Sequence, residues 1–420
     1  MGKRVAAIFF IFLCTTAAWM VLGATIFRRT YASGQALGGR VASTWGSPQR
    51  QSPPAARVTR KVPKQVETFE DGKKIVRTIE VQETSPLPLE KSRVRVDLDL
   101  EHRQKGLLWY STYRVGFAGE YVFRNTTDLE EVIFTLPFPA SQAIYDDLVL
   151  TVDGKPVTMT TWAAAPEPRA APGPTASVSG TASVPAGQAA RLEVRYRSQG
   201  LDSWRYALGE DVAQVRDFNL TMRTNFKDID FPDNTLSPTD KRRAGGGWLL
   251  TWSYRSLVSG YEVAMAMPEK LQPGPLAGRI SFFAPVSLFF FFFVLLLITT
   301  LRGIDLHPVN YFFLAAAFFA FHLLLAYLVD HVSIHAAFFI SSAVSLALVV
   351  SYLRLVVGMR FAAVEAGLAQ LMYLVLFSYA FFFKGFTGLA ITIGSILTLF
   401  VTMQLTGRIR WSERLAAKPA

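Results

Sequence analysis

ISFFAPVSLFFFFFVLLLITTLRGIDLHPVNYFFLAAAFFAFHLLLAYLV, residues 280–329, decides the architecture. It holds two apolar runs, 280–301 and 309–329, and the short link between them carries Arg302 and Asp305 as its only formal charges. A helix rises about 1.5 Å per residue, so each run can cross a hydrocarbon core of roughly 30 Å. Three more such runs follow at 336–353, 362–383 and 386–405, and residues 5–27 form another near the N-terminus. No GxxxG pair occurs in these runs, so no small-residue packing motif is visible in them. The five aromatic residues from Phe289 to Phe293 read as a lipid-facing or interhelical surface.

The charges are spread accordingly. The chain of 420 residues has 43 Lys and Arg against 32 Asp and Glu, a net charge of +11. Residues 280–407 carry seven charged side chains in 128 positions, whereas residues 28–279 carry 61 in 252. One part suits lipid and the other suits water, which excludes a purely soluble enzyme and assigns the basic excess to a lipid bilayer partner and not to nucleic acid. The only cysteine is Cys14, inside the first apolar run, so a disulfide framework or Cys-rich zinc site is excluded. Cys14 follows Ile11, Phe12 and Leu13, where a lipoprotein signal needs a small residue, and the first run is too long for a cleaved leader. It reads as an anchor.

Six spans put both ends of the chain on one side. With the N-terminus in the cytoplasm, the inside segments collect Lys3, Arg4, Arg302, Arg354, Arg360, Arg408, Arg410, Arg414 and Lys418, and the short outside loops collect only Lys384. That bias is the positive-inside pattern, and it predicts cytoplasmic termini with residues 28–279 on the extracytoplasmic face. Arg28 and Arg29 oppose it, but they lead into a long translocated segment, which largely ignores the rule.

Residues 28–57, rich in Gly, Ala, Ser, Pro, Gln and Arg, are expected to be a flexible connector. From 58 to 279 the period is two. Val94, Val96, Leu98 and Leu100 alternate with Arg95, Asp97, Asp99 and Glu101, and further strands are predicted at 107–123, 131–136, 148–152, 190–196, 217–224, 248–254 and 261–265. Asp71-Gly72 and Asp153-Gly154 mark hairpin turns, and 163–174 an Ala/Pro-rich surface loop. The fold class is therefore a mixed membrane protein. Residues 1–27 form an N-terminal transmembrane helix, 58–279 an extracytoplasmic all-β, antiparallel, sandwich-like domain, 280–407 a C-terminal five-helix transmembrane bundle, and 408–420 a basic cytoplasmic tail.

No phosphate loop, GxSxG, HExxH or EF-hand pattern occurs. Gly245-Gly246-Gly247 reads as a turn, and Lys241-Arg242-Arg243 as a solvated loop that could alternatively meet an anionic polymer or lipid. Four of the five histidines lie between 307 and 335. His307 precedes Pro308 at a helix start, where it and Asp305 are expected to cap backbone N–H groups. Asp330, His331 and His335 lie in an outside loop; His331 and His335 have a metal-ligand spacing only in a helix and lack a third ligand, so no metal is expected. His322 falls mid-span, where an unpaired polar group is costly. It serves either a proton- or ligand-linked role or one interhelical hydrogen bond to Ser341, Ser345 or Tyr373. Glu365 lies near a span end and not mid-membrane.

At Leu306-His307-Pro308-Val309-Asn310-Tyr311 the chain resembles the CreD family of bacterial inner-membrane proteins, whose bundle has a His-Pro-x-x-Tyr entry to its third helix. The resemblance continues through Leu323-Leu324-Leu325, Asp330-His331 and Tyr352, and through Gly394-Ser395, Leu399-Phe400, Met403, Arg408 and Trp411. Trp45-Gly46-x-Pro48-Gln49 is similar to the family's Trp-Gly-x-x-Gln stretch. Two departures stand out: Thr387-Gly388 replaces an acidic pair, and His322 stands where the family has Tyr. The resemblance implies a Gram-negative envelope protein associated with cell-wall stress, with neither catalytic residues nor a cofactor. The expected function is binding or sensing of an envelope component or protein partner by the periplasmic domain. The alternative is a small-molecule or proton-coupled carrier built around His322.

Overall fold

The structure, a computed structural model, describes residues 2–70, 73–106, 108–141, 143–163, 176–209, 213–383 and 385–407. The expected Asp71-Gly72 turn, nearly all of the 163–174 loop, Lys384, Arg408, Trp411 and the basic tail lie outside them. The chain forms two compact units: Met1–Ala36 with Gly106–Leu108 and Leu271–Ala420, and Leu37–Lys105 with Trp109–Lys270.

The second unit is built from strands β1 (Gln49–Gln51), β2 (Ala55–Glu70), β3 (Lys73–Pro86), β4 (Leu89–Lys105), β5 (Leu108–Arg124), β6 (Glu131–Pro137), β7 (Tyr145–Val152) and β8 (Lys155–Pro156). It continues with β9 (Thr160–Ala163), β10 (Ala176–Ser183), β11 (Ala189–Leu201), β12 (Ser203–Tyr206), β13 (Ala213–Thr224), β14 (Asp240–Ala244), β15 (Gly247–Ser259) and β16 (Val263–Ala266). They pair in three sheets, ordered β14-β15-β13-β4-β5-β11-β7-β8, β3-β2-β6-β10-β9 and β1-β12-β16. In β4, Val94, Val96 and Leu98 are buried and Arg93, Arg95 and Asp99 exposed, as the alternation requires. The buried faces of all three sheets share one core. Phe123 of β5 meets Phe134 of β6 edge to face at 5.9 Å, and Phe117 of β5 meets Trp204 of β12 at 6.5 Å.

Three expectations need correction. The sheets are not wholly antiparallel: β4 pairs parallel with β13, and β1 with β12. Antiparallel order is forced only where a tight turn joins neighbours, and long stretches of chain separate both of these pairs. Lys241, Arg242 and Arg243 are not a loop but lie in β14, which pairs along β15 through the turn at Gly245 (φ +54°) and Gly246 (φ +87°). Lys241 and Arg243 stand over the Trp248 ring at 4.2 and 5.3 Å, so the strand at this end of the sheet is charged, which discourages further pairing. Residues 28–57 are mostly ordered as helix to Trp45 and as β1 and the start of β2.

The Trp45-Gly46-x-Pro48-Gln49 stretch explains that order. Arg103 lies 3.4 Å over the Trp45 ring. Gly46 ends the helix at φ +122°, and a Cβ there would sit 2.3 Å from the Gln199 carbonyl oxygen, so only glycine fits. The buried Gln49 amide then donates to Ser198 Oγ at 2.7 Å and to the Gln199 carbonyl at 2.9 Å. Next along, Tyr196 donates to Gln51 Oε1 at 2.6 Å, and Tyr121 and Tyr206 share a hydrogen bond of 3.1 Å. Burial pushes Tyr121 and Tyr196 well above the usual phenol range, so they act in the core as neutral hydrogen-bonding groups.

In the first unit, six helices among the described residues are long and apolar enough to cross a membrane: Arg4–Tyr31, Ala284–Arg302, Pro308–Leu328, Ile334–Val356, Phe361–Phe382 and Thr387–Gln404. They are called here the first to sixth spans. The run expected from residue 280 is divided. A short helix, Pro273–Phe282, precedes the second span, and Pro285 in that span's first turn accounts for the break, because proline cannot continue the hydrogen-bond ladder. The short helix holds the pair Gly274 and Gly278, a GxxxG spacing outside the expected runs. A Cβ on Gly274 would meet Thr30 Oγ1 at 2.7 Å, and one on Gly278 would meet Ile26 at 3.3 Å, so the bare backbone lies directly against the first helix. Of the Phe289–Phe293 run, Phe291 and Phe292 are buried while Phe289 and Phe293 are exposed, so it serves both surfaces.

A Cβ on Gly247 would lie 2.0 Å from the Thr224 carbonyl oxygen, a backbone atom that cannot swing away. Gly247→Ala is expected to destabilise the β-unit by about 2 kcal/mol or more, whereas Gly245→Ala, which meets open space and pays only for its positive φ, costs about 1 kcal/mol. Thermal unfolding of the full chain, followed by near-UV circular dichroism, compares the two.

Candidate functional site

The first and third spans are clamped at both ends. Arg4 donates to Asp305 at 2.8 Å; Arg29 donates to Asp330 at 3.3 Å and to the Ala326 carbonyl at 3.1 Å, with its guanidinium 5.8 Å from the Tyr327 ring. Between the clamps, Trp19 meets His322 edge to face at 5.4 Å and Phe319 at 5.7 Å. His322 is fully buried, and its Nδ1–H donates to the Phe318 carbonyl one turn earlier at 2.9 Å. This is not the interhelical bond expected to Ser341, Ser345 or Tyr373. Nε2 has no partner among the described residues.

Those three residues do other work. Ser345 donates to the Ala317 carbonyl at 2.7 Å and accepts from Gln370 Nε2 at 2.8 Å, which links the third, fourth and fifth spans. Ser341 is buried, with no partner for its hydroxyl among the described residues. Tyr373 donates to Thr398 Oγ1 at 2.9 Å, Thr398 donates to the Gly394 carbonyl at 2.7 Å, and Ser287 donates to the Tyr373 carbonyl. The fifth span can accept Ser287 because its turns at Phe361–Ala366 and Leu371–Leu376 are π-helical, a wider winding that rearranges the carbonyls of an α-helix.

Those widened turns border a cavity of about 560 Å³ between the second, fifth and sixth spans. Apolar side chains such as Val294, Leu368, Met372 and Ile391 make most of its wall, while Glu365, Tyr373, Ser395, Thr398 and Thr402 supply polar points. Glu365 is 13% exposed and receives Arg302 Nη1 at 2.5 Å on Oε1; Oε2 is buried with no partner among the described residues. An unsatisfied buried carboxylate oxygen costs on the order of 1–3 kcal/mol, so it is a point at which a donor would be bound.

The β-unit has its own cleft, of about 890 Å³, lined by Arg50, Arg205, Asp230, Asp233, Asn234 and Glu262 with Phe231 and Pro232 beside them. Glu262 is half-enclosed between two guanidinium groups, Arg50 Nε at 2.6 Å and Arg205 Nη1 at 3.5 Å. The cleft presents both signs of charge and an aromatic wall.

The residues singled out by the sequence are thus dispersed. His307 caps the third span by accepting from the Val309 N–H at 3.3 Å, with Pro308 in the first turn. Asp305 does not share that cap, because it is drawn to Arg4. Tyr311 is buried against Phe292 at 5.3 Å, Asp330 belongs to the Arg29 clamp, and His331 is exposed. Of the described family-motif residues, only Gly394 and Ser395 line the membrane cavity, beside Glu365 and Tyr373. Gln370 and the pairing of the two arginine clamps escape the sequence reading, which places Glu365 at a span end without giving it a role. Their signal was a polar side chain inside or at the edge of an apolar run, but the sequence alone did not show which helix would supply the partner. Among the described residues no group of three His, Cys, Asp or Glu side chains is placed to hold a metal.

A profile of the family described as Inner membrane protein CreD matches residues 1–412. No curated protein matches the chain. Among solved structures, a Legionella pneumophila protein described as a candidate nutrient binding protein is 13% identical, over 49% of this chain and 71% of its own, with a TM-score of 0.34. An M1 zinc metallopeptidase variant from Deinococcus radiodurans, bound to a Tyr-Ser-Ala substrate, is 10% identical over 43% of this chain and 42% of its own, with a TM-score of 0.26. The unsubstituted peptidase gives the same identity and coverage at a TM-score of 0.23. Likenesses this low carry nothing about function.

The Arg29 clamp can be tested by a double-mutant cycle. Arg29→Gln, Asp330→Asn and the double variant, unfolded thermally in detergent, are expected to show a coupling of about 1 kcal/mol, the upper end for a partly exposed pair. Additive effects would mean that the two side chains do not interact.

Proposed function

Since the chain belongs to the CreD family of inner membrane proteins, we propose that it works by binding: its β-unit takes up a polar component of the cell envelope and supports envelope integrity under stress. The observation that carries this reading is the cleft at Arg50, Arg205, Asp233 and Glu262. Guanidinium and carboxylate groups brought together beside Phe231 suit a ligand that carries hydroxyl or charged groups on a partly apolar frame. Glu262 holds Arg50 and Arg205 in place, so their remaining N–H groups are oriented before a ligand arrives.

The same proposal places both termini in the cytoplasm and residues 28–279 in the periplasm. Nine Lys and Arg in the inside segments against Lys384 outside support that orientation. The helical spans then act as the anchor and as the route by which occupancy of the β-unit would reach the membrane part. Such coupling requires that the ligand favour one packing of the bundle over another.

Complementation of a deletion strain exposed to a cell-wall-targeting antibiotic tests the reading. Full-length chains carrying Arg205→Gln or Asp233→Asn are expected to reach the membrane at normal abundance and to fail to restore survival, while His322→Phe restores it. Rescue by the cleft variants together with loss on His322→Phe would replace this reading with that of a carrier centred on the bundle.

A further inference from the structure

We infer that the cavity between the second, fifth and sixth spans is a site for one aminophospholipid, with a hydrocarbon chain along the apolar wall and a phosphoethanolamine head at Arg302 and Glu365. The shape comes first. The wall extends from Val364 to Ala380 on the fifth span and from Ala390 to Thr402 on the sixth, about 20 Å along each helix, a large part of a hydrocarbon core of roughly 30 Å. A chain aligned with the bilayer lipids fits that slot. Its outer wall is a single helix, since the sixth span buries only 6% of its apolar window, so a lipid can enter sideways past Leu397 and Val401.

The head is chosen by charge and by hydrogen-bond direction. Glu365 Oε2 needs a donor, and a primary ammonium supplies one, whereas a quaternary ammonium has no N–H to give. Arg302 is half-exposed and spends Nη1 on Glu365, which leaves guanidinium N–H groups for a phosphate oxygen. The ion pair offers one group to each charge of a zwitterionic head, Arg302 to the phosphate and Glu365 to the ammonium, which folds back towards the cavity wall. An anionic phosphatidylglycerol head offers Oε2 only neutral hydroxyl donors in place of a charged ammonium and brings net negative charge towards it. This inference does not depend on the β-unit cleft.

The full chain, reconstituted in phosphatidylcholine vesicles with a trace of phosphatidylethanolamine bearing a diazirine in its acyl chain, is illuminated and the labelled peptides are identified by mass spectrometry. Labels are expected on residues 364–377 and 390–402. Added unlabelled phosphatidylethanolamine should compete, and phosphatidylglycerol should not. Glu365→Gln should lower labelling about tenfold, the loss of one charge-assisted hydrogen bond. Gly394→Leu should lower labelling several-fold, because a Cβ there meets open space and the longer side chain takes up part of the cavity. Unchanged helical circular dichroism and thermal midpoint show that these variants are folded; if either misfolds, the competition pattern of the unsubstituted chain decides. Equal labelling of exposed positions such as Phe9, Phe10 and Val21, or equal competition by phosphatidylglycerol, would overturn the proposal.

Discussion

Polar groups inside a bilayer have no water to turn to, so each must find its partner within the protein. The membrane unit is organised around that demand. Arg4 and Arg29 are 25 residues apart on the first helix, about 37 Å at 1.5 Å per residue, and their partners Asp305 and Asp330 are the same 25 residues apart across the third span. A constant offset at both ends requires the two helices to run parallel and in register, and Trp19 beside His322 at mid-height agrees with it. From the third span the pairing passes outward through Ser345 and Gln370 to the fifth, and from the fifth through Tyr373 to the second and sixth. Hydrophobic attraction cannot order helices in lipid, since the tails are as apolar as Leu, so directional bonds and close backbone contacts do so.

The fifth span is where this order leaves a gap. A π-helical turn closes its hydrogen bonds five residues apart where an α-helix closes them four apart, which shifts the side chains that follow it and rearranges carbonyl partners. At Leu371–Leu376 the Tyr373 carbonyl takes Ser287, and the tyrosine hydroxyl reaches the sixth span. At Phe361–Ala366 the widened turn carries Glu365 to the cavity edge, where Arg302 satisfies only one of its oxygens. The same departure from regular winding therefore holds the second and sixth spans to the fifth and keeps a space between them.

Much of this architecture was legible because its signals are local. Apolar length marked each span to within a few residues, and period-two alternation located β4, β5, β11 and β13, since burial of one face must be written residue by residue. Non-local features were not readable. Nothing in β4 or β13 states that they pair parallel, because direction depends on the path of the chain between them. β14 reads as a basic loop until Trp248 is placed beneath its lysine and arginine. The helix through residue 45 was hidden by a composition that resembles a linker, and Arg103, which covers Trp45, is far away in sequence. In the bundle, Gln370 is a single amide in an apolar run with no local signal, whereas His322 stands out although its hydrogen bond among the described residues lies within its own helix. Conspicuous chemistry in a sequence is therefore a poor guide to which polar group links helices.

The motif residues themselves divide by whether their partners are present. His307 and Pro308 finish a helix end, Tyr311 fills the space beside Phe292, and Asp330 answers Arg29. Gly46 and Gln49 fasten the chain to β11, in one case because no Cβ fits and in the other because a buried amide has two acceptors. Each has a structural role in the fold, although the Tyr311 hydroxyl and Gln49 Oε1 are buried without a partner among the described residues. Gly394 and Ser395 differ: a Cβ on Gly394 would meet nothing within 4 Å, and both residues line the cavity that Glu365, with its unpaired carboxylate oxygen, also lines. A glycine is required where atoms crowd it, and this one is not crowded by protein atoms. If Gly394 is required at all, what crowds it lies outside the chain, and in a wall made of hydrocarbon side chains that occupant is hydrocarbon.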